Sequence, residues 1–199
     1  EDGIRDKLVT GVQTCALPIS LREQTVHAVD QVDLQIFDGE VVGLVGESGC
    51  GKSTLARLVV GLHAPSEGDI LWQGQSLSAM PVAAQKEARL QMQMIFQDPF
   101  ASLNPRLRVQ ELVGEAPVVH GHITAAHQGP WVATQLQRVG LDPSLATRFA
   151  HQLSGGQRAR VGIARALAVN PRLLVCDEAV AALDVSIQAQ VLNLFMDLR

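Results

Sequence analysis

Gly46-Glu47-Ser48-Gly49-Cys50-Gly51-Lys52-Ser53 fits the pattern G-x-x-x-x-G-K-[ST] at every fixed position. Val41-Val42-Gly43-Leu44-Val45 ahead of it is a short apolar run that predicts a buried parallel strand. Ser53 to Leu62 behind it predicts a helix, with Leu55, Leu58, Val59 and Leu62 at helical spacing. Glycines at 46, 49 and 51 let backbone N–H groups turn inward without Cβ clashes. Those donors and the helix N-terminus attract phosphate oxygens. Gly46 through Thr54 is therefore expected to bind ATP, with Lys52 reaching the β- and γ-phosphates and Ser53 ligating Mg²⁺. The bland alternative is a Gly-rich turn with no ligand, and the flanking strand and helix weigh against it.

A second apolar run, Leu173-Leu174-Val175-Cys176, ends in two carboxylates, Asp177 and Glu178. A strand ending there delivers Asp177 to the edge where open α/β sheets bind ligands. Asp177 is expected to hold Mg²⁺ through water. Glu178 is expected to be the general base or the group that positions water. Two carboxylates at a solvated strand end would mean nothing alone; following a phosphate loop, they complete a hydrolytic site.

Leu153-Ser154-Gly155-Gly156-Gln157 lies between these segments and opens a helix that runs to about Val169, with Asn170-Pro171 as the stop. Ser154 offers a hydroxyl, and Gly155 and Gly156 expose backbone N–H groups at the positive end of that helix. An N-cap serine with two flexible glycines is the plain reading, and it leaves Gln157 unexplained.

The three segments, in this order, resemble the ATPase subunit of an ABC transporter. The resemblance runs from about Val26 to Arg199. It implies a P-loop NTPase (RecA-like) α/β core, an antiparallel β subdomain and an inserted α-helical subdomain over about 104–165. It implies two nucleotide domains paired head to tail, with Ser154, Gly155, Gly156 and Gln157 facing the partner's γ-phosphate. Gln97 matches the family's Q-loop glutamine, which contacts the metal site and joins Lys52 and Glu178 as a catalytic candidate. Ser53, Gln97 and Asp177 would be the metal set. Asp184, in Ala182-Leu183-Asp184, matches the D-loop at the dimer interface.

Gln97-Asp98-Pro99-Phe100-Ala101-Ser102-Leu103-Asn104-Pro105-Arg106 and Val175 through Gln190 are similar to oligopeptide and dipeptide importers, a subfamily that includes nickel and glutathione importers. The implied partners are a second ATPase subunit, transmembrane permease subunits that dock near Phe100–Arg106, and, indirectly, a periplasmic or extracellular solute-binding protein. The implied location is the cytoplasmic face of the membrane. Ala179 stands where the family usually has Pro, and Ala181 where it often has Ser. Leu21 to Thr25 lack the aromatic that many members stack on adenine. The rival of another class is a soluble ABC ATPase of DNA repair or translation; no coiled coil, zinc module or tandem domain points to one.

Glu1 to Ile19 have no apolar periodicity and no secretory pattern. Glu1–Asp6 and Val9–Ile19 resemble translated sequencing-library adapters, so residues 1–19 are expected to be non-biological and to stand outside the fold. Residues 20–199 are then read as one incomplete nucleotide-binding domain. No histidine follows His151, whereas the family places a switch histidine on the strand after the catalytic Glu. The chain is thus expected to be cut short at its C-terminus and, as a fragment, to turn over little or no ATP.

Composition fits one soluble domain: 47% of the residues are hydrophobic and the net charge is −4. The charge gives no basic footprint for nucleic acid. No run of eighteen apolar residues occurs. Of three cysteines, Cys15 falls in the adapter-like segment, while Cys50 and Cys176 are expected to be reduced and structural, the latter in a buried strand. His120, His122 and His127 read as a solvated loop, not a metal site. Smaller signals predict a strand and turn at Ile70-Leu71-Trp72-Gln73-Gly74, a helix over Pro81–Leu90, helical structure from Asn104 broken at Gly114, Pro117, Gly129-Pro130 and Gly140, and an amphipathic helix over Val185–Arg199.

Overall fold

The structure, a computed structural model, describes residues 7–10, 28–97, 102–178 and 185–197. The chain divides into two compact units, Glu1–Arg89 and Leu90–Arg199.

In the first unit β1 (Lys7–Thr10) pairs antiparallel with β2 (Val32–Gln35), with Lys7 opposite Gln35. Val32 and Leu34 are half-buried while Asp33 and Gln35 are exposed, the alternation a one-sided strand requires. β1 belongs to the segment expected to stand outside the fold. An unpaired edge bonds through backbone groups alone, so an extended neighbour of almost any sequence can complete the ladder.

α1 (Lys52–Val59) follows the glycine-rich loop and buries Leu55, Leu58 and Val59. Leu58 is wholly buried, and Val29, Ile70 and Leu77 join the unit's core. β3 (Leu71–Trp72) and β4 (Gln75–Ser76) form a hairpin around Gln73-Gly74. Both turn residues have positive φ, +51° and +76°. That is the mirror-image turn whose twist matches the strands. α2 (Val82–Gln91) lies one residue from the predicted span.

Val41–Val45 departs from expectation. It is no strand among the described residues, and Val45 is 94% exposed. A buried parallel strand needs ladder partners on its edges and cover on its faces. This run has no ladder partner here, so its apolar side chains stand in solvent.

The second unit is built on helices. α3 (Val109–Val119), α4 (Gln128–Arg138) and α5 (Gly155–Leu167) pack mutually, with short 3₁₀ turns at Ala125–His127, Pro143–Thr147 and Ala150–Gln152. Val109, Val113, Val132, Leu136, Val161, Ile163 and Ala164 have no exposed surface. Each larger aliphatic among them contributes about 2 kcal/mol of transfer free energy. The Pro and Gly positions read as breaks do not all break helices. Gly114 and Pro117 lie inside α3, both buried. Pro117 is near the end of α3, where one missing N–H interrupts little. Gly129-Pro130 sits in the first turn of α4, where a proline N–H would be unpaired anyway. Gly140 does follow the helix end, at φ +67°.

β5 (Met92–Ile95) pairs in parallel with β6 (Leu173–Cys176), Met92 opposite Leu173 and Ile95 opposite Cys176. α5 packs on β5. Three long side chains tie α5 to its surroundings. Trp131 Nε1 donates to the Ala168 carbonyl at 3.2 Å. Arg160 Nη1 donates to Gly140 at 2.8 Å, and Arg165 Nη1 to Ser102 at 2.5 Å. α6 (Val185–Asp197) completes the unit, with Val191 buried.

Candidate functional site

Gly46–Ser53 folds as a loop running into α1. Gly49 and Gly51 take φ of +82° and +95°. A Cβ at Gly51 would collide with the Ala28 carbonyl, so only glycine fits there. Lys52 Nζ folds back and donates to the carbonyls of Gly46, at 2.8 Å, and Glu47, at 2.5 Å. The Cys50 sulfur is 3.7 Å from the same ammonium. The lysine is thus held at the mouth of the loop by carbonyls that a phosphate oxygen would replace. No side chain caps the N-terminus of α1, and its first-turn N–H groups belong to Lys52, Ser53 and Thr54. Glu47, Ser48 and Cys50 supply further backbone of the loop and are exposed. First-turn backbone donors, a helix dipole and an ammonium lie together at this loop, a setting that suits polyphosphate.

The second unit brings Gln97 and Glu178 together. Asp177 N donates to the Ile95 carbonyl at 2.9 Å, carrying the β5–β6 ladder past the last strand residue. That pairing sets Gln97 beside Glu178, and Gln97 Nε2 donates to Glu178 Oε2 at 2.6 Å. Asp177 is half-buried; Gln97 and Glu178 are exposed. Glu178 has φ +50°, a left-handed backbone that non-glycine residues rarely adopt. Periodicity gives no sign of such strain. Cys176, expected to be buried, keeps exposed surface at the end of a half-buried strand. Atoms crowding its thiol still desolvate it and push its pKa up to about 11.

Ser154 is the N-cap of α5. Its Oγ accepts from Gln157 N at 3.2 Å, and Gln157 Oε1 accepts from Ser154 N at 3.0 Å. This reciprocal S-x-x-Q box accounts for Gln157 locally, which the reading of the sequence did not. It leaves Gly155 and Gly156 in the first turn, half-buried, with the dipole's positive end behind them.

Ser53 in the first unit, and Gln97 and Asp177 in the second, each carry oxygen, the donor type that Mg²⁺ accepts together with water. Gln97 commits its amide nitrogen to Glu178, which turns its carbonyl oxygen to other use. Among the described residues no three His, Cys, Asp or Glu side chains cluster to form an all-protein metal cage. His127 Nδ1 lies 2.7 Å from Thr124 Oγ1 in an exposed loop. Asp184, Ala179, Ala181, Leu21–Thr25, Cys15, and Phe100 and Ala101 of the expected docking segment lie outside the described residues.

The family model described as "ABC transporter" matches residues 29–181. The oligopeptide transport ATP-binding protein OppF of Haemophilus influenzae is 50% identical over 179 residues, which cover 89% of this chain and 54% of that protein. AppF of Bacillus subtilis, also an oligopeptide transport ATP-binding protein, is 50% identical over 175 residues, covering 87% and 53%. The glutathione import ATP-binding protein GsiA of Pectobacterium atrosepticum is 49% identical over 174 residues. The chain therefore spans about half the length of the oligopeptide relatives. Among solved structures, the dimeric ATP-binding cassette MJ0796, in a post-hydrolysis state with ADP and Pi, superposes with a TM-score of 0.82 at 29% identity. That match covers 95% of this chain and 81% of the cassette. The fold is thus that of ABC ATPase cassettes, and with the family match over residues 29–181 the chain belongs to the ABC transporter family.

Proposed function

We propose that this chain is the ATP-binding and ATP-hydrolysing part of an importer for peptides or a related small solute. The observation that carries the reading is the Gln97–Glu178 hydrogen bond, which joins the glutamine read as a sensor to the carboxylate read as the base. The lysine-closed loop at Gly46–Ser53 supplies the triphosphate-binding element. The names of the oligopeptide and glutathione relatives support import as the setting.

Two copies, or one copy and a paralogue, would sandwich two ATP. Each site would draw Gly46–Thr54, Gln97, Asp177 and Glu178 from one chain and Ser154–Gln157 from the other. Mg²⁺, held by Ser53, Asp177 and the Gln97 carbonyl, would neutralise charge on the phosphates. Lys52 trades its loop carbonyls for β- and γ-phosphate oxygens and stabilises the charge that develops there. Glu178 orients water and accepts its proton. The Ser154 hydroxyl and the Gly155 and Gly156 N–H groups close the pocket from the neighbouring chain. Among the described residues no helix is long and apolar enough to cross a membrane. The subunit would work at the cytoplasmic face through permease subunits, with the cargo delivered by a solute-binding protein.

The test uses the complete native protein. Lys52→Ala should lose ATP binding. Glu178→Gln should bind ATP and not hydrolyse it. Ser154→Arg should bind ATP and lose dimer-dependent hydrolysis. Unchanged turnover in Ser154→Arg would contradict the shared site.

A further inference from the structure

The first unit holds a cavity of about 90 Å³ that the nucleotide reading does not use. Three local features meet there. The chain leaving α1 turns at Gly61, with φ +68°, and runs on through His63, Ala64 and Pro65. Ile70 and Leu77 stand on either side of the β3–β4 hairpin, and Leu77 N donates to the Ile70 carbonyl at 2.8 Å. Both are buried. α2 adds Gln85 and Arg89, one helical turn apart and so on one face. Gly61 has no side chain to put into this space. A Cβ there would come within 3.1 Å of Leu77 Cδ2 and 3.7 Å of Arg89 Nε.

Two opposite charges, Asp69 and Arg89, line this cavity without pairing to each other. Asp69 is half-buried, and its Oδ1 accepts from the Ile70 N–H at 2.9 Å and from the Ser78 hydroxyl at 3.4 Å. Among the described residues Asp69 forms no ion pair, and its Oδ2 has no protein donor. Arg89 already interacts with another group, and a guanidinium with five N–H donors can serve a ligand as well. Gln85 Nε2 donates to the Met80 carbonyl at 3.0 Å, which holds that side chain as a fixed wall. The aliphatic part of the lining is Ala64, Pro65, Ile70 and Leu77.

We propose that this cavity binds a small zwitterion of the α-amino acid class, of the size of glycine or alanine. Asp69 takes the ammonium group, and Arg89 takes the carboxylate through two N–H groups. The proposal goes beyond the nucleotide reading and does not depend on it. Charge decides the class. An anion alone would leave the Asp69 carboxylate unanswered, and a cation alone would leave Arg89 so. A ligand with both charges answers both. Volume decides the size. On the scale where about 150 Å³ holds benzene, this cavity takes roughly four carbon-sized atoms. That admits the three carbons of alanine and excludes the side chain of leucine or phenylalanine.

The experiment titrates the complete protein with L-alanine, read by saturation-transfer NMR. Propionate lacks the ammonium, ethylamine lacks the carboxylate, and L-leucine keeps both charges on a larger side chain. Alanine should bind roughly tenfold tighter than any of the three. Asp69→Asn keeps an oxygen for the Ile70 N–H and should weaken alanine about tenfold while sparing propionate. Arg89→Gln should weaken alanine by a similar factor while sparing ethylamine. No saturable binding of alanine, binding of propionate or ethylamine as tight as alanine, or indifference to both substitutions would overturn the proposal. Circular dichroism and ATP binding are measured on the same samples. Where a variant fails to fold, the wild-type ligand series decides alone. A wild type that binds ATP but not alanine sinks this proposal and leaves the nucleotide reading standing. One that binds alanine but not ATP does the reverse.

Discussion

Gln97 and Glu178, 81 residues apart in sequence, share a 2.6 Å hydrogen bond at the end of the β5–β6 ladder. Both side chains are exposed, so the bond adds little to stability. Its consequence is geometric: one carboxylate oxygen of the expected base is held by an amide. Gln97→Leu in the complete protein should therefore lower kcat for ATP by about tenfold or more. The melting temperature should stay nearly unchanged. A matching loss of thermal stability would make the pair structural, not catalytic.

Glu178 also carries φ +50°. A left-handed backbone with a Cβ is strained by about 1 kcal/mol or more. Strain at this residue type marks a position kept for its side chain. Glu178→Gly should consequently be more stable than Glu178→Ala, by about 1 kcal/mol in urea denaturation. Neither variant should hydrolyse ATP. Equal stability of the two would show that the backbone relaxes elsewhere.

Ser154 caps a helix, and substitution can separate that cap from the proposed contact with a partner's nucleotide. As a cap its Oγ accepts from Gln157 N, so Ser154→Ala should lose about 1 kcal/mol of stability. Ser154→Asp keeps a capping oxygen and adds a negative charge that suits the helix N-terminus. Its melting temperature should match or exceed the wild type. If the hydroxyl faces a partner's phosphate, that same charge repels the nucleotide and turnover falls. A fully active Ser154→Asp protein would leave only the cap.

Much of this arrangement is legible in the sequence where chemistry is local. β6 was predicted at its observed bounds because four apolar residues meet two carboxylates. The Gly46–Ser53 pattern predicted a loop-to-helix turn whose glycine at 51 is sterically required. Asn170-Pro171 ended α5 close to where it stops. What failed depends on partners far away in sequence. Val41–Val45 has strand composition, but composition cannot supply a neighbour to bond with, and the run stands exposed. Pro117 reads as a break from its missing N–H, yet burial in the α3 interface holds the helix through it. The Arg108 guanidinium and the His151 ring both lie against Phe149, which was invisible because nothing local joins residues some forty positions apart.

The two thiols of the described residues give a contrast that pH can read. Cys50 is exposed in the Gly46–Ser53 loop, beside Lys52. Cys176 is desolvated, which raises its pKa from the ordinary 9.0 to about 11. Only the thiolate is alkylated, and burial disfavours the charged form, so the shift lowers the reactive fraction at pH 8 by about a hundredfold. In a Cys15→Ser background, iodoacetamide should label Cys50 first and Cys176 far more slowly. Labelling of Cys176 should climb as pH rises toward 11. ATP should protect Cys50, since phosphates would fill the loop that surrounds it, and leave Cys176 unaffected. Peptide mapping by mass spectrometry reads each site separately. Cys50 labelling that ignores saturating ATP would mean that the nucleotide does not occupy Gly46–Ser53, and the hydrolytic reading would fall with it.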